Sequence, residues 1–190
     1  EIKNNLVTDS GKEFYPYKRD EKTMARPWAI PGVPGLEHRI GGLEKEDQTG
    51  NVSYDSINHQ NMTDIRQKKI DAIAESIPMV ETYGDKSGSL LLVSWGGTSG
   101  SVRSAVDKAR ANKLSVSHIH LKYINPFPKN LGEVLLKFEN ILIPELNSGQ
   151  LSVILRNKFL VDSIGLNKVE GKPFSTGEIY NKILNILGKK

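Results

Sequence analysis

Residues 90–106 read LLLVSWGGTSGSVRSAV. An aliphatic run drops into a glycine-rich turn and resumes at helical spacing. A strand, such a turn and a helix start together hold phosphate in many proteins, because free N–H groups at the helix N-terminus face the anion. The spacing here matches neither common fingerprint. A G-x-G-x-x-G needs glycines at offsets 0, 2 and 5, and a phosphate loop ends in Gly-Lys-Ser/Thr. From Gly96 the next glycines are Gly97 and Gly100, and no lysine follows. Three roles remain for the turn: letting the helix pack close to the sheet edge, contacting a partner chain, or holding an anion.

The four histidines are His38, His59, His118 and His120. His118 and His120 lie two apart on an expected strand, so they share a face. Two imidazoles on one face can ligate a metal. No carboxylate stands at a supporting distance along the chain, which favours histidines facing the core or a helix. His38 and His59 fall in polar loops, where contacts with other molecules concentrate. Asn125 is held in the stiff Asn125-Pro126-Phe127-Pro128 loop. Asn147 with Gln150 reads as a helix cap and its return contact. Glu145 has no evident capping duty and stands as an interface or ligand candidate. No nucleophile with its base can be assembled.

The elements that must position these groups are clearest after Pro78. Before it, residues 1–61 are rich in proline and glycine and show little periodicity of either kind. That composition reads as an arm lying against something else. A helix carrying Ile70, Ile73, Ala74 and Ile77 on one face follows and ends at Pro78. Beyond it, short strands are expected at 79–83, 90–95, 116–123, 141–143 and 161–166. Between them come helices with Val102, Ala105, Val106 and Ala109; Leu131, Val134, Leu135 and Phe138; then Leu151, Ile154 and Leu155. Asn130 with Glu133, and Ser175 with Glu178, resemble capping boxes. The last helix buries Ile179, Ile183, Ile186 and Leu187. Alternating strands and helices imply a parallel sheet covered on both faces, with ligand positions at the strand C-termini. The expected division is an arm and linking helix at 1–78 and an α/β domain at 79–190.

The 190 residues are 37% hydrophobic and 25% charged, with a formal net charge of +4. Those proportions describe a globular protein. Lysines are interspersed with acids, as in Glu44-Lys45-Glu46-Asp47, and form no stripe for a nucleic-acid backbone. No apolar run approaches the ~20 residues that span a bilayer. Neither nucleic acid nor membrane is therefore an expected partner. The absence of cysteine excludes thiolate metal sites and cluster ligation by this chain, and fits a reducing cytoplasm. The chain begins at Glu1 without methionine, as a piece of a longer protein would.

Four blocks carry a family resemblance: RPWAIPGVPGLEHRIGGLEKEDQTGNVSYDSINHQ (26–60), LKYINPFPKNLGE (121–133), IPELNSGQL (143–151) and LNKVEGKPF (166–174). Together they resemble the C-terminal part of the α subunit of 2-oxoglutarate:ferredoxin oxidoreductases. The resemblance spans about residues 24–187. It implies a transketolase C-terminal-like domain: a three-layer α/β/α sandwich with a five-stranded sheet, four strands parallel and one antiparallel. Residues 79–83 would be the antiparallel edge. It also implies oxidative decarboxylation of a 2-oxo acid on thiamine diphosphate, with an iron–sulfur cluster, coenzyme A and ferredoxin in the parent complex. The thiamine signature, Gly-Asp-Gly with paired asparagines downstream, is absent: the one Gly-Asp is Gly84-Asp85, followed by Lys86. The resemblance thus implies no cofactor on this chain and a structural role among the rest of the α subunit and the β subunit. Residues expected at that interface or at the channel edge are His38, Arg39, Asn51, His59, Thr98, Asn125, Glu145 and Asn147. The alternative is a free-standing α/β module binding a nucleotide or other anion at the strand-end rim.

Overall fold

The computed structural model describes residues 6–9, 11 and 13–189. The chain forms two compact units, Glu1–Ser76 and Ile77–Lys190.

In the first unit, β1 (Leu6–Val7) pairs in parallel with β2 (Trp28–Ala29). Two antiparallel bridges, Tyr17 with Gln48 and Lys45 with Val52, organise the loops between them and α1 (Ser56–Ala72). Asp55 caps that helix, its carboxylate accepting from the Asn58 amide at 2.6 Å. The helix starts well before the expected apolar face, and that face is not buried: Ile70 and Ile73 are exposed. Met62 is the buried residue of α1, and Ile77, also buried, is the first residue of the second unit.

The second unit alternates strand and helix: β3 (Gly88–Trp95), α2 (Ser99–Ala111), β4 (Val116–Leu121), α3 (Leu131–Leu135), β5 (Phe138–Glu145), α4 (Gln150–Phe159), β6 (Ile164–Asn167) and α5 (Thr176–Ile186). The four strands are parallel throughout, in the order β4-β3-β5-β6. The period of two along a strand divides the core. Leu91, Val93, Ile119, Leu121, Ile141 and Ile143 pack with Leu131, Leu135, Leu151 and Leu155 from α3 and α4. Leu90, Leu92, Val116 and Leu142 pack with Val102, Ala105, Val106, Ile179 and Ile183 from α2 and α5. This is the expected α/β/α sandwich. Ser175 and Glu178 form the expected capping box on α5.

Several local expectations are corrected. The fifth, antiparallel strand at 79–83 is reduced to one bridge, in which Tyr83 and His118 exchange N–H···O bonds of 2.8 and 2.9 Å. Two side-chain and backbone constraints explain why no ladder forms. Asn130 holds Val80, donating to its carbonyl and accepting from its amide at 2.9 Å each. Gly84, at φ +104°, turns the chain away after the bridge. The Asn130 side chain is thereby spent, and it makes no capping box with Glu133. The helix beginning at Leu131 lasts only five residues, so Phe138 opens β5 rather than closing a helix face. On α4, Leu151 and Leu155 are buried as expected, while Ile154 is exposed.

Replacing Asn130 by alanine leaves both Val80 backbone groups without their partner. Each such bond contributes roughly 0.5–1.5 kcal/mol. Asn130→Ala is expected to lower the stability of the second unit by about 1–3 kcal/mol, read from denaturant midpoints. A change within error would mean that residues 78–83 are not held by this clasp.

Candidate functional site: the strand-end rim and its polar clusters

The C-termini of the strands carry Thr98, Glu145 and Asn147 among the polar residues singled out from sequence, and the structure shows how they are used. Glu145 ends β5 with no solvent exposure. Its carboxylate accepts from the amides of Leu151 at 2.9 Å and Ser152 at 3.0 Å. A carboxylate at a helix N-terminus satisfies orphan N–H groups and complements the helix dipole. Glu145 therefore does have a capping duty, contrary to the expectation. Asn147 shares it, accepting from the amides of Gly149 at 2.7 Å and Gln150 at 3.0 Å. Gly149 stands at φ +96°, a conformation that favours glycine. The start of α4 is thus supplied with anionic and amide oxygens from its own chain.

The start of α2 is different. Thr98 is buried and turned back on the strand end, donating to the Trp95 carbonyl at 2.8 Å. It gives α2 no side-chain cap. Gly96, Gly97 and Gly100 are exposed, and a Cβ added to any of them would meet no atom within 4 Å. Close packing against the sheet is therefore not what the glycines serve. Only Gly96, at φ +55°, occupies a left-handed conformation. The turn lies open on the rim.

On the α2 side of the sheet, Ser94 stands in register with His120, one strand over. Its hydroxyl lies 2.7 Å from His118 Nε2 and 2.8 Å from His120 Nδ1. One hydroxyl proton can serve only one of these nitrogens, so the other ring must present an N–H to the Ser94 oxygen. Burial pushes the His118 pKa down to about 4, assisted by the charges of His120 and Arg103 and opposed by Asp107. His120 is lowered too, by burial first and then by Lys122. The two rings share a face, as expected. They are tied to a serine, and among the described residues no group of three or more His, Cys, Asp or Glu could hold a metal. A cleft of about 530 Å³ adjoins them, lined among others by Glu81, Tyr83, Arg103 and Lys122.

In the first unit, Glu44 joins His59 and Arg66. Its carboxylate lies 2.7 Å from His59 Nδ1 and takes a two-pronged contact from the Arg66 guanidinium at 3.2 Å. The Arg66 bond, followed by the His59 bond, outweighs partial burial and holds the Glu44 pKa at about 2.

Residues 88–164 match the family described as pyruvate:ferredoxin oxidoreductase core domain II. The chain is 48% identical over 171 residues to the 2-oxoglutarate oxidoreductase subunit KorA of Mycobacterium tuberculosis, a match covering 89% of this chain and 26% of that relative. Subunit alpha of 2-oxoacid:ferredoxin oxidoreductase 1 from Aeropyrum pernix is 28% identical over 199 residues, covering 96% of this chain and 30% of the relative. Along most of its length the chain is thus similar to α subunits of the 2-oxoacid:ferredoxin oxidoreductases. Among solved structures, the 2-oxoglutarate:ferredoxin oxidoreductase of Magnetococcus marinus, with 2-oxoglutarate, coenzyme A and succinyl-CoA bound, shares the fold at a TM-score of 0.86 and 27% identity. That likeness covers 95% of this chain and 32% of that one. The chain thus spans about a quarter to a third of the length of these 2-oxoacid oxidoreductase relatives.

The residues assigned from sequence to an interface or channel edge fall into two groups. Thr98, Glu145 and Asn147 sit on the rim and serve their own backbone. His38 contacts the Leu36 carbonyl at 2.8 Å and packs edge-on against Phe14, and His59 pairs with Glu44. Asn51 accepts from the Glu46 amide through its carbonyl, at 2.7 Å, and its side chain is exposed, as are those of Arg39 and Asn125. Sequence reasoning missed Ser94. The signal was present: one hydroxyl in an otherwise aliphatic and aromatic run, with two histidines on the next strand.

Because the His118 pKa is lower in the folded chain than its ordinary 6.5, the unfolded chain binds more protons between those values. Stability therefore rises with pH across that window. The second unit is expected to weaken as pH falls from about 6.5 to about 4, and His118→Gln is expected to flatten that part of the profile. Parallel urea titrations of both proteins at several pH values check this. An identical slope in the variant would remove His118 as the cause.

Proposed function

We propose that the chain is the C-terminal, non-catalytic structural and subunit-interface domain of the α subunit of a thiamine-diphosphate-dependent 2-oxoacid:ferredoxin oxidoreductase. The parent enzyme oxidatively decarboxylates a 2-oxo acid, with 2-oxoglutarate the first choice, to the acyl-CoA and passes the electrons to ferredoxin. The observation that carries this reading is the 48% identity over 171 residues, a length that reaches into both units.

The chemistry of the chain supports a supporting role. It has no cysteine to ligate iron. Among the described residues there is no cluster of ligands suited to the cation of a bound diphosphate. On this reading those groups are held by the remainder of the α subunit and by the β subunit. Large apolar side chains stand in water on both units: Trp28, Ile40, Tyr54 and Ile57 on the first, and Leu136, Val153 and Leu160 on the second. Scattered exposed apolar residues are ordinary, but exposures of 84% for Ile40 and 88% for Tyr54 suit surfaces that a partner covers. Arg39, Asn51 and Asn125 extend those surfaces with polar groups, and the glycine turn before α2 offers its backbone to a neighbouring chain. The alternative of a free-standing rim-binding module is not favoured, since Thr98, Glu145 and Asn147 are bound to their own backbone.

Reconstitution tests the reading. This chain, the remainder of the α subunit and the β subunit are purified separately and combined. Ferredoxin reduction is followed with coenzyme A and either 2-oxoglutarate or pyruvate. Turnover is expected only from the full assembly, with 2-oxoglutarate the better substrate. Turnover by this chain unaided, or full activity in its absence, would overturn the proposal.

A further inference from the structure

The first unit contains a cleft whose charges do not balance. It encloses about 600 Å³ and is lined by Tyr17, Arg19, Arg26, Glu44, Lys45, His59, Arg66 and Lys69, among others. Glu44 is the one carboxylate in that lining, facing five Lys or Arg side chains. It is already engaged by Arg66 and His59.

Among the described residues the remaining cations form no ion pair, although the charge of Asp47 reaches Arg19. Lys45 is 3% exposed, and its ammonium donates to the carbonyl oxygens of Gly41 and Leu43. Among the described residues it has no carboxylate partner. Arg26 has neither hydrogen bond nor ion pair among them; its guanidinium rests 4.7 Å from the centre of the Tyr17 ring. Arg19 is 5.8 Å from the same ring and donates one Nη to the Met24 carbonyl at 3.2 Å. Its Nε is buried and has no acceptor. A buried donor without a partner forfeits its hydration, so folded proteins rarely leave one. Burial pulls the Arg19 pKa below its ordinary value; the Asp47 charge raises it, and the Arg26 and Arg66 charges lower it again.

We propose that this cleft is a binding site for a phosphoryl-bearing anion of charge −2 or more, held by Arg19 and Arg26 with support from Lys45, Lys69 and Arg66. Several features favour a phosphoryl group over a lone carboxylate. The donors come from separate segments of the unit, at Arg19, Arg26, Lys45 and α1. A tetrahedral group with several charged oxygens accepts from several directions, whereas a carboxylate accepts one planar fork. The cation excess also matches a ligand of more than one charge. The inference concerns the first unit alone and does not depend on the oxidoreductase reading.

Inorganic pyrophosphate is the probe, titrated into the full chain by calorimetry and phosphorus NMR. Sodium chloride of matched ionic strength and 2-oxoglutarate serve as the comparison anions. Saturable one-to-one binding of pyrophosphate is expected, with 2-oxoglutarate at least tenfold weaker. Arg26→Gln removes a half-buried side chain that makes no hydrogen bond, so the fold should tolerate it; affinity is expected to fall at least tenfold. Arg19→Gln is expected to do the same, with circular dichroism confirming that the protein is folded. Lys113→Gln, in the second unit, is expected to leave binding unchanged. No saturable binding beyond the chloride control, equal affinity in Arg26→Gln, or tighter binding of 2-oxoglutarate than of pyrophosphate would each overturn the proposal.

Discussion

A strand buried on both faces can carry a polar side chain only if a neighbour supplies its hydrogen bonds, and β3 is such a strand. Leu90 to Leu92, Val93 and Ser94 have no solvent exposure. The aliphatic members tie the two cores together, alternate residues facing α3 and α4 on one side and α2 and α5 on the other. Ser94 is the exception, and its needs reach into the adjacent strand. His120 must stand opposite it and His118 within reach, both on the α2 face and both largely neutral near physiological pH. An unpaired hydroxyl there would cost free energy comparable to several buried methylene groups. The parallel register of β3 with β4 is therefore pinned by polar as well as apolar contacts.

The same demand for satisfied polar groups shapes the rim. At β5 it is met by Glu145, whose carboxylate bonds the first amides of α4 from a fully buried position. At β3 it is met by Thr98 folding back on Trp95, which leaves the glycine turn exposed and the first turn of α2 without a side-chain cap. A rim whose side chains are bound to their own backbone has little left to grip a small molecule. It presents backbone and shape instead, which suits a domain that completes a larger enzyme. The likeness to α subunits more than three times the length of this chain agrees with that division of labour.

The order of elements in the second unit was legible because buried parallel strands are near-continuous apolar runs and their helices carry one apolar stripe. The Ser175–Glu178 capping box was legible because it is closed within four residues. What escaped depends on partners outside the spacing of one helix turn or one strand. Asn130 looks like a local cap, yet its amide is claimed by Val80, fifty residues earlier. Glu145 looks idle until the chain returns as α4. Ile70 and Ile73 have helical spacing but face water, a pattern that suits a surface awaiting a partner. In the first unit, the loops carry no period at all, so the gathering of Arg19, Arg26 and Glu44 around one cleft left no mark in the order of residues. The family resemblance reached further than periodicity here, since its longest block lies in that unit.

Hydrogen exchange of this chain, alone and assembled with the remainder of the α subunit and the β subunit, tests the interface role most directly. The account predicts that assembly slows amide exchange around Trp28, Ile40, Tyr54 and Ile57 and in the turn at 96–100, while β3 and β5 exchange slowly in both states. Unchanged exchange at all of those surfaces in an active assembly would contradict it.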